Sequence, residues 1–297
     1  MTIEKENIKN DAKEKNKFEL LNPRQDYVFK RIFGYKGNED ITKDFLTAIL
    51  NQNITSIDID TNTILGKNLN TDKVGILDVR AIIDGKINCD IEIQVVDQRN
   101  IEKRILFYWS KLYIDNIKEG NDYDKLNKTI IVLILDYNLE KLSKIEHFMT
   151  NWQIREKNHP KTVLTDALEL YIIELPKFDT ANLDNNQKLL NSWINFIKNP
   201  KEVIDMPNSK VKKAQQVLEE ISQDGSERYL AELRQKYIMD QTSMKNYAYR
   251  EGMENGISNA QIKIIKNMIK KKLDINTISD LTNISVDEIN KLISSNA

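Results

Sequence analysis

Residues 129–135 read Thr-Ile-Ile-Val-Leu-Ile-Leu, a run with no polar face to offer to solvent. A strand wet on one side alternates in polarity; an unbroken β-branched and apolar run fits a strand covered on both faces. Upstream, Ile101, Ile105, Tyr108, Trp109, Leu112 and Tyr113 recur with a 3.6-residue period and predict a helix over Ile101–Ile117. Asp97 or Asn100 is placed to cap it. A helix that leads into a doubly covered strand points to an α/β architecture.

The flanking segments extend that pattern. Tyr27, Val28, Ile32 and Phe33 sit at helical spacing within Asp26–Phe33, and Ile41, Phe45, Leu46, Ile49 and Leu50 do so within Asp40–Leu50. Short β-like runs follow at Ile54–Ile59, Leu77–Ile83 and Ile87–Val95, with Asp84-Gly85 marking a turn between the last two. Phe148, Trp152 and Ile154 suggest a weaker, partly exposed strand, and Leu168–Leu175 another. The order helix, strands, helix, strand implies an α/β sandwich with a mixed central sheet flanked by helices.

The character changes after Pro176. Leu189, Leu190, Trp193, Ile194 and Ile197 form a helix that Pro200 closes, and residues 201–297 carry almost nothing β-like. Ser226–Tyr249 reads as a long charged helix that Gly252 and Gly256 interrupt or end. Ile262–Ile293 reads as three short helices, with a capping box at Ser285-Val286-Asp287-Glu288. The expected organisation is a leader over 1–21, an α/β domain over 22–200, a helical connector over 201–258 and a small helix-turn-helix-like tail over 259–297.

Composition removes several function classes. With one cysteine and two histidines, a disulfide framework, a cysteine or three-histidine zinc centre and a Ser-His-Asp triad are all disfavoured. A net charge of −1 supplies no global field toward nucleic acid, so any such contact must be local. Met1–Lys17 is polar and mixed in charge, unlike a signal peptide, and no run approaches about 20 apolar residues. The expectation is a cytoplasmic protein with no membrane partner.

The chemistry concentrates in two neighbouring β-like segments. Alternation puts Asp90, Glu92 and Gln94 on one face of the second, and Asp78 with Arg80 on one face of the first. A two-residue Asp84-Gly85 loop pairs Ile83 with Lys86 and sends Asp78 to the face opposite Glu92. A three-residue loop, Ile83-Asp84-Gly85 with Gly85 left-handed, sets Asp78 across from Asp90 and diagonal to Glu92. A metal site therefore requires a loop of odd length. Given that parity, Asp78 and Glu92 can offer oxygens to Mg²⁺ at about 2.0–2.1 Å. The plain alternative is a half-solvated sheet face rich in acids and amides.

At these residues the chain resembles the recombination-promoting nuclease / putative transposase family, a branch of the PD-(D/E)XK nucleases. The resemblance takes in Asp26-Tyr27-Val28-Phe29-Lys30-Arg31-Ile32-Phe33-Gly34, Ile91-Glu92-Ile93-Gln94 and Arg104-Ile105-Leu106-Phe107-Tyr108. It continues through Ile173-Glu174-Leu175-Pro176-Lys177 and Arg250-Glu251-Gly252-Met253-Glu254-Asn255-Gly256. It implies a restriction-endonuclease-like core, to which the β-poor residues 201–297 add an all-helical C-terminal extension. It also implies Mg²⁺-dependent DNA endonuclease activity, with Mn²⁺ as a substitute, linked to recombination or mobile elements.

Carried onto this sequence, Asp78 is the first acid and Glu92 the second, the two metal ligands, and Gln94 stands where the family usually has Lys. Asp26 is an additional catalytic acid, and Arg104 and Lys30 are DNA contacts. Leu77 replaces the usual Pro before the first acid. Gln94 can orient a water by hydrogen bonding but is neither base nor cation, which motivates the rival expectation of a catalytically silent DNA- or partner-binding module. Lys103 and Lys111 read as solvated, and Tyr108 and Trp109 as core. The tail sets Lys270-Lys271-Lys272 against Asp274, Asp280, Asp287 and Glu288, so homodimerisation through it is as natural as DNA binding.

Overall fold

A computed structural model describes residues 19–60, 79–97, 100–115, 117, 120–178, 187–201 and 208–294. The chain divides into two compact units, 1–232 and 233–297.

The first unit is built on a six-stranded mixed sheet. Its strands are β1 (Ile57–Ile59), β2 (Val79–Ile83), β3 (Ile87–Gln94), β4 (Lys128–Leu135), β5 (Met149–Arg155) and β6 (Val163–Glu174), in the order β1-β2-β3-β4-β6-β5. β3, β4 and β6 are parallel to one another, while β1–β2, β2–β3 and β5–β6 pair antiparallel. Helices α1 (Asp26–Phe33), α2 (Glu39–Leu50), α3 (Ile101–Ile114), α4 (Lys188–Lys198) and α5 (Ser209–Gln223) surround it.

The expected doubly covered strand is β4. Ile130, Val132 and Ile134 join the larger core beneath α1, α2 and α4, and Ile131, Leu133 and Leu135 pack on the other face with Ile101 and Ile105 of α3. The larger core centres on an aromatic group in which Phe33 lies 4.5 Å from Phe29, 4.8 Å from Phe45 and 5.6 Å from Trp193, ring centre to ring centre. Such pairs add about 0.5–1.5 kcal/mol each beyond the area they bury. Cys89 is buried in that core, where desolvation pushes its thiol pKa up, as suits an inert packing residue. β5 is the weak edge strand anticipated, whereas β6 begins at Val163 and outruns its expected bounds.

Polar ties fix the helices to one another. Tyr27 and Arg31 of α1 both donate to Glu227, at 2.7 Å and at 2.7–2.9 Å. Desolvation first, then this hydrogen bond and the carboxylate's charge, raise the Tyr27 pKa. Asp44 of α2 accepts from Trp193 Nε1 at 2.9 Å and from Asn208 Nδ2 at 2.8 Å. Asp40 accepts from Lys210 and Lys213 of α5 at 2.7 and 2.6 Å.

Three local expectations need correcting. The hairpin between β2 and β3 has the required odd length, but its loop is Asp84-Gly85-Lys86, because Ile83 faces Ile87. Asp84 and Gly85 both take left-handed backbone (φ 49° and 68°), and Asp84 Oδ1 is held by the backbone N–H groups of Thr55 and Ser56. Asn100 does hold the N-cap position of α3, yet its own backbone is left-handed and its side chain makes no capping bond. Finally, α6 (Gly225–Lys270) runs through Gly252 and Gly256 without a break. Glycine costs a helix about 1 kcal/mol relative to alanine but removes no hydrogen bond, so it weakens a helix without ending it.

In the second unit, the end of α6 packs with α7 (Ile275–Thr282) and α8 (Val286–Ser294) around Ile265, Ile278 and Ile289. The capping box is present: Ser285 N donates to Glu288 Oε2, and Glu288 N to Ser285 Oγ, both at 3.3 Å. Among the described residues no helix is long and apolar enough to cross a membrane.

Burial alone would raise the Asp40 pKa, but the two lysine hydrogen bonds outweigh it and hold the carboxyl at about 2. Its contribution is therefore present above the ordinary Asp pKa and is lost as pH falls through about 2. Because the group is partly solvated, Asp40→Asn should cost no more than about 1 kcal/mol at pH 7. In urea melts, the gap between wild type and variant should narrow as pH falls from about 5 toward 2; a gap independent of pH would contradict this account.

Candidate active site

β3 divides its side chains between two environments. Cys89, Ile91 and Ile93 enter the larger core, so Asn88, Asp90, Glu92 and Gln94 emerge on the face that α3 covers. That face is not a solvated one. Asp90 is 0 % and Glu92 3 % exposed, which overturns the half-solvated alternative. Carboxylates survive such burial only with compensating charge or hydrogen bonds.

Part of the compensation comes from α3. Arg104, on its first turn, brings Nη2 to 3.4 Å from Glu92 Oε1, and its guanidinium also lies over the Tyr108 ring, 5.7 Å from the centroid. Gln94 Nε2 stands 3.5 Å from the same Glu92 oxygen. In the last turn of the helix, Leu112 O accepts from Asn88 Nδ2 at 3.5 Å. Lys103 is exposed, and Lys111 lies 4.6 Å from the Phe107 ring on the outer side of the helix. Trp109 packs inward and donates from Nε1 to Thr129 O at 3.1 Å, as a core residue should.

The hairpin register sets what stands opposite. Arg80, and not Asp78 as the Ile83-Asp84-Gly85 loop would require, faces Asp90 across the β2–β3 ladder. Arg80 in turn bridges Asp115 at 2.7 Å and Asp60 at 3.7 Å. Asp78 lies outside the described residues. The described pairs, Val79 with Ile91 and Arg80 with Asp90, have the parity of an odd loop.

The carboxyl end of the sheet gathers further groups. Asp136 N donates to Gln94 O at 3.0 Å, and Arg24 Nη1 reaches both carboxylate oxygens of Asp136 at 3.0 Å. These bonds tie the entry to α1, and with it Asp26, to the end of β4 beside Gln94. Asp26 Oδ1 accepts from Tyr27 N at 2.7 Å in the first turn of α1, where the helix dipole favours a negative charge. Lys30, one turn on, is buried at 8 % exposure instead of standing on the surface.

Sequence reasoning missed Tyr137. It lies two residues beyond Leu135 and packs with the α3-side cluster. Burial first, then the charges of Asp97, Glu92 and Glu102, push its pKa up to about 12, against an opposing pull from Arg104. The one available signal was parity: 131, 133 and 135 face α3, and 137 continues the series.

For a divalent cation the donor chemistry fits, since Asp90 and Glu92 are hard oxygen donors two residues apart on one strand face, with the amide oxygen of Gln94 next in line. Among the described residues, no three His, Cys, Asp or Glu side chains form a group able to hold a metal ion. Mg²⁺ commonly takes only one or two carboxylates and completes its shell with water and substrate phosphate.

Arg104→Ala and Glu92→Gln should be coupled through this pair. A double-mutant cycle on stability should return an interaction of about 1 kcal/mol, and strictly additive effects would contradict the pairing.

Comparison with protein families gives a match over residues 23–248 to the family described as PD-(D/E)XK nuclease family transposase. No curated protein and no solved structure matches.

Proposed function

The chain belongs to the PD-(D/E)XK nuclease family transposases, and from that premise we propose that it is a Mg²⁺-dependent DNA endonuclease acting in recombination or on mobile elements. Membership supports a nuclease-type hydrolase in general. The observation that carries the finer reading is the burial of Asp90 and Glu92 on one face of β3, next to Gln94 and under Arg104.

In this reading Glu92 and Asp78 would hold the metal, and Asp90, buried on the same strand face as Glu92, adds negative potential. A bound Mg²⁺ supplies a Lewis acid that acidifies water and offsets phosphate charge, and Mn²⁺ can substitute. Gln94 orients the attacking water through its amide. It cannot take the proton, so turnover is slower than in a site with Lys at that position. Asp26, held at the same end of the sheet by the Arg24–Asp136 bond, is the additional acid. Arg104, seated on Glu92, offers the guanidinium fork that would contact a DNA phosphate. Lys30 remains the second proposed DNA contact, although it is buried in the free protein. Homodimerisation through the helical C-terminal region and a cytoplasmic location complete the proposal.

The rival reading, a silent DNA- or partner-binding protein, draws on Gln94 and on the guanidinium already held by Glu92. The two separate in one assay. Wild-type protein with Mg²⁺ should nick supercoiled plasmid, Glu92→Ala and Asp78→Ala should not, and Gln94→Ala should slow nicking about 10–100-fold. Gln94→Lys should raise the rate. Equal nicking by all the proteins would mark a contaminant and defeat the assignment.

A further inference from the structure

The Tyr137 hydroxyl is sealed from solvent and has no hydrogen-bond partner among the described residues. Proteins rarely leave a buried hydroxyl in that condition, and an exception calls for a physical reason. Its ring explains its position but not its oxygen: phenylalanine would pack with Leu133, Leu135 and Ile105 equally well.

Its surroundings supply the reason. β4 delivers residue 137 to the α3-covered face, one step past Leu135, whose neighbour across the parallel ladder is Gln94. The charged groups that act on the phenol are Asp97, Arg104, Glu92 and Glu102. Two of these, Glu92 and Arg104, belong to the candidate site itself. A phenol is a neutral donor throughout the working pH range, and burial here raises its pKa further. Glu92 and Arg104 already engage each other, and Gln94 brings no positive charge. A neutral O–H on this face can serve an incoming anion without adding a charge that must be buried in the free protein.

We infer that Tyr137 is a substrate-contacting residue of this site: its phenolic O–H, closed off in the free protein, donates to a non-bridging oxygen of the DNA phosphate once the site has opened to admit it. The inference rests on the nuclease reading for the identity of that phosphate. The phenol takes the place, as hydrogen-bond donor, that a cationic side chain at position 94 would fill. Because the bond forms with the phosphate and strengthens as charge builds on its oxygens, its loss should slow cleavage more than it weakens binding.

The test uses the full-length protein and Tyr137→Phe, with Tyr137→Leu as a packing control. Affinity for a fluorescent duplex is measured by anisotropy in Ca²⁺, cleavage under single turnover in Mg²⁺, and the melting temperature without DNA. Tyr137→Phe should melt no lower than wild type, bind DNA several-fold more weakly and cleave at least about tenfold more slowly. Wild-type binding and cleavage by Tyr137→Phe would overturn the inference. So would a loss of activity that merely follows a lowered melting temperature in both variants. If wild type binds but never cuts, the nuclease reading fails while weaker binding by Tyr137→Phe still supports the contact; if wild type neither binds nor cuts, both fall.

Discussion

Strand β3 must satisfy two environments with one alternating sequence. Its odd-numbered residues complete the larger core, which commits Asn88, Asp90, Glu92 and Gln94 to the other face, and α3 covers that face. Charge buried between a sheet and a helix has to be balanced locally, because water is not there to do it. The first turn of α3 responds with Arg104, while Ile101 and Ile105 on the same helix supply the apolar seal. An apolar strand of equal volume would be the easier solution for stability alone, which is why the acids point to chemistry.

Much of the scaffold serves to hold that arrangement in place. Asp136 joins the end of β3 through its backbone to the entry of α1 through its carboxylate. α1 is then fixed from its far side by Glu227, which takes hydrogen bonds from both Tyr27 and Arg31. The chain thus reaches the carboxyl end of the parallel strands from three separate elements, the place where α/β sheets usually assemble their sites.

The α/β class was legible because β4 has no polar face and α1 and α2 carry their apolar residues at clean helical spacing. The parity of β2 against β3 was legible only as a condition, since it turns on one loop residue. Lys86 proved to be that residue, which put Arg80 opposite Asp90. Burial of Asp90 could not be read from alternation, which says that residues share a face but not whether that face is covered. Tyr137 escaped notice because it lies past the end of its strand, where periodicity no longer speaks. The two glycines of α6 do not break it, for a propensity cost of about 1 kcal/mol each is easily absorbed in a long helix.

The central claim is that the buried acidic face of β3 is a divalent-cation site. Isothermal titration calorimetry of Mn²⁺ and Mg²⁺ into the metal-free protein, beside Glu92→Ala and Asp90→Asn, addresses it most directly. Saturable binding to wild type that Glu92→Ala abolishes and Asp90→Asn weakens is the predicted result. Binding unchanged in Glu92→Ala, or no saturable heat from wild type with either ion, would contradict the account.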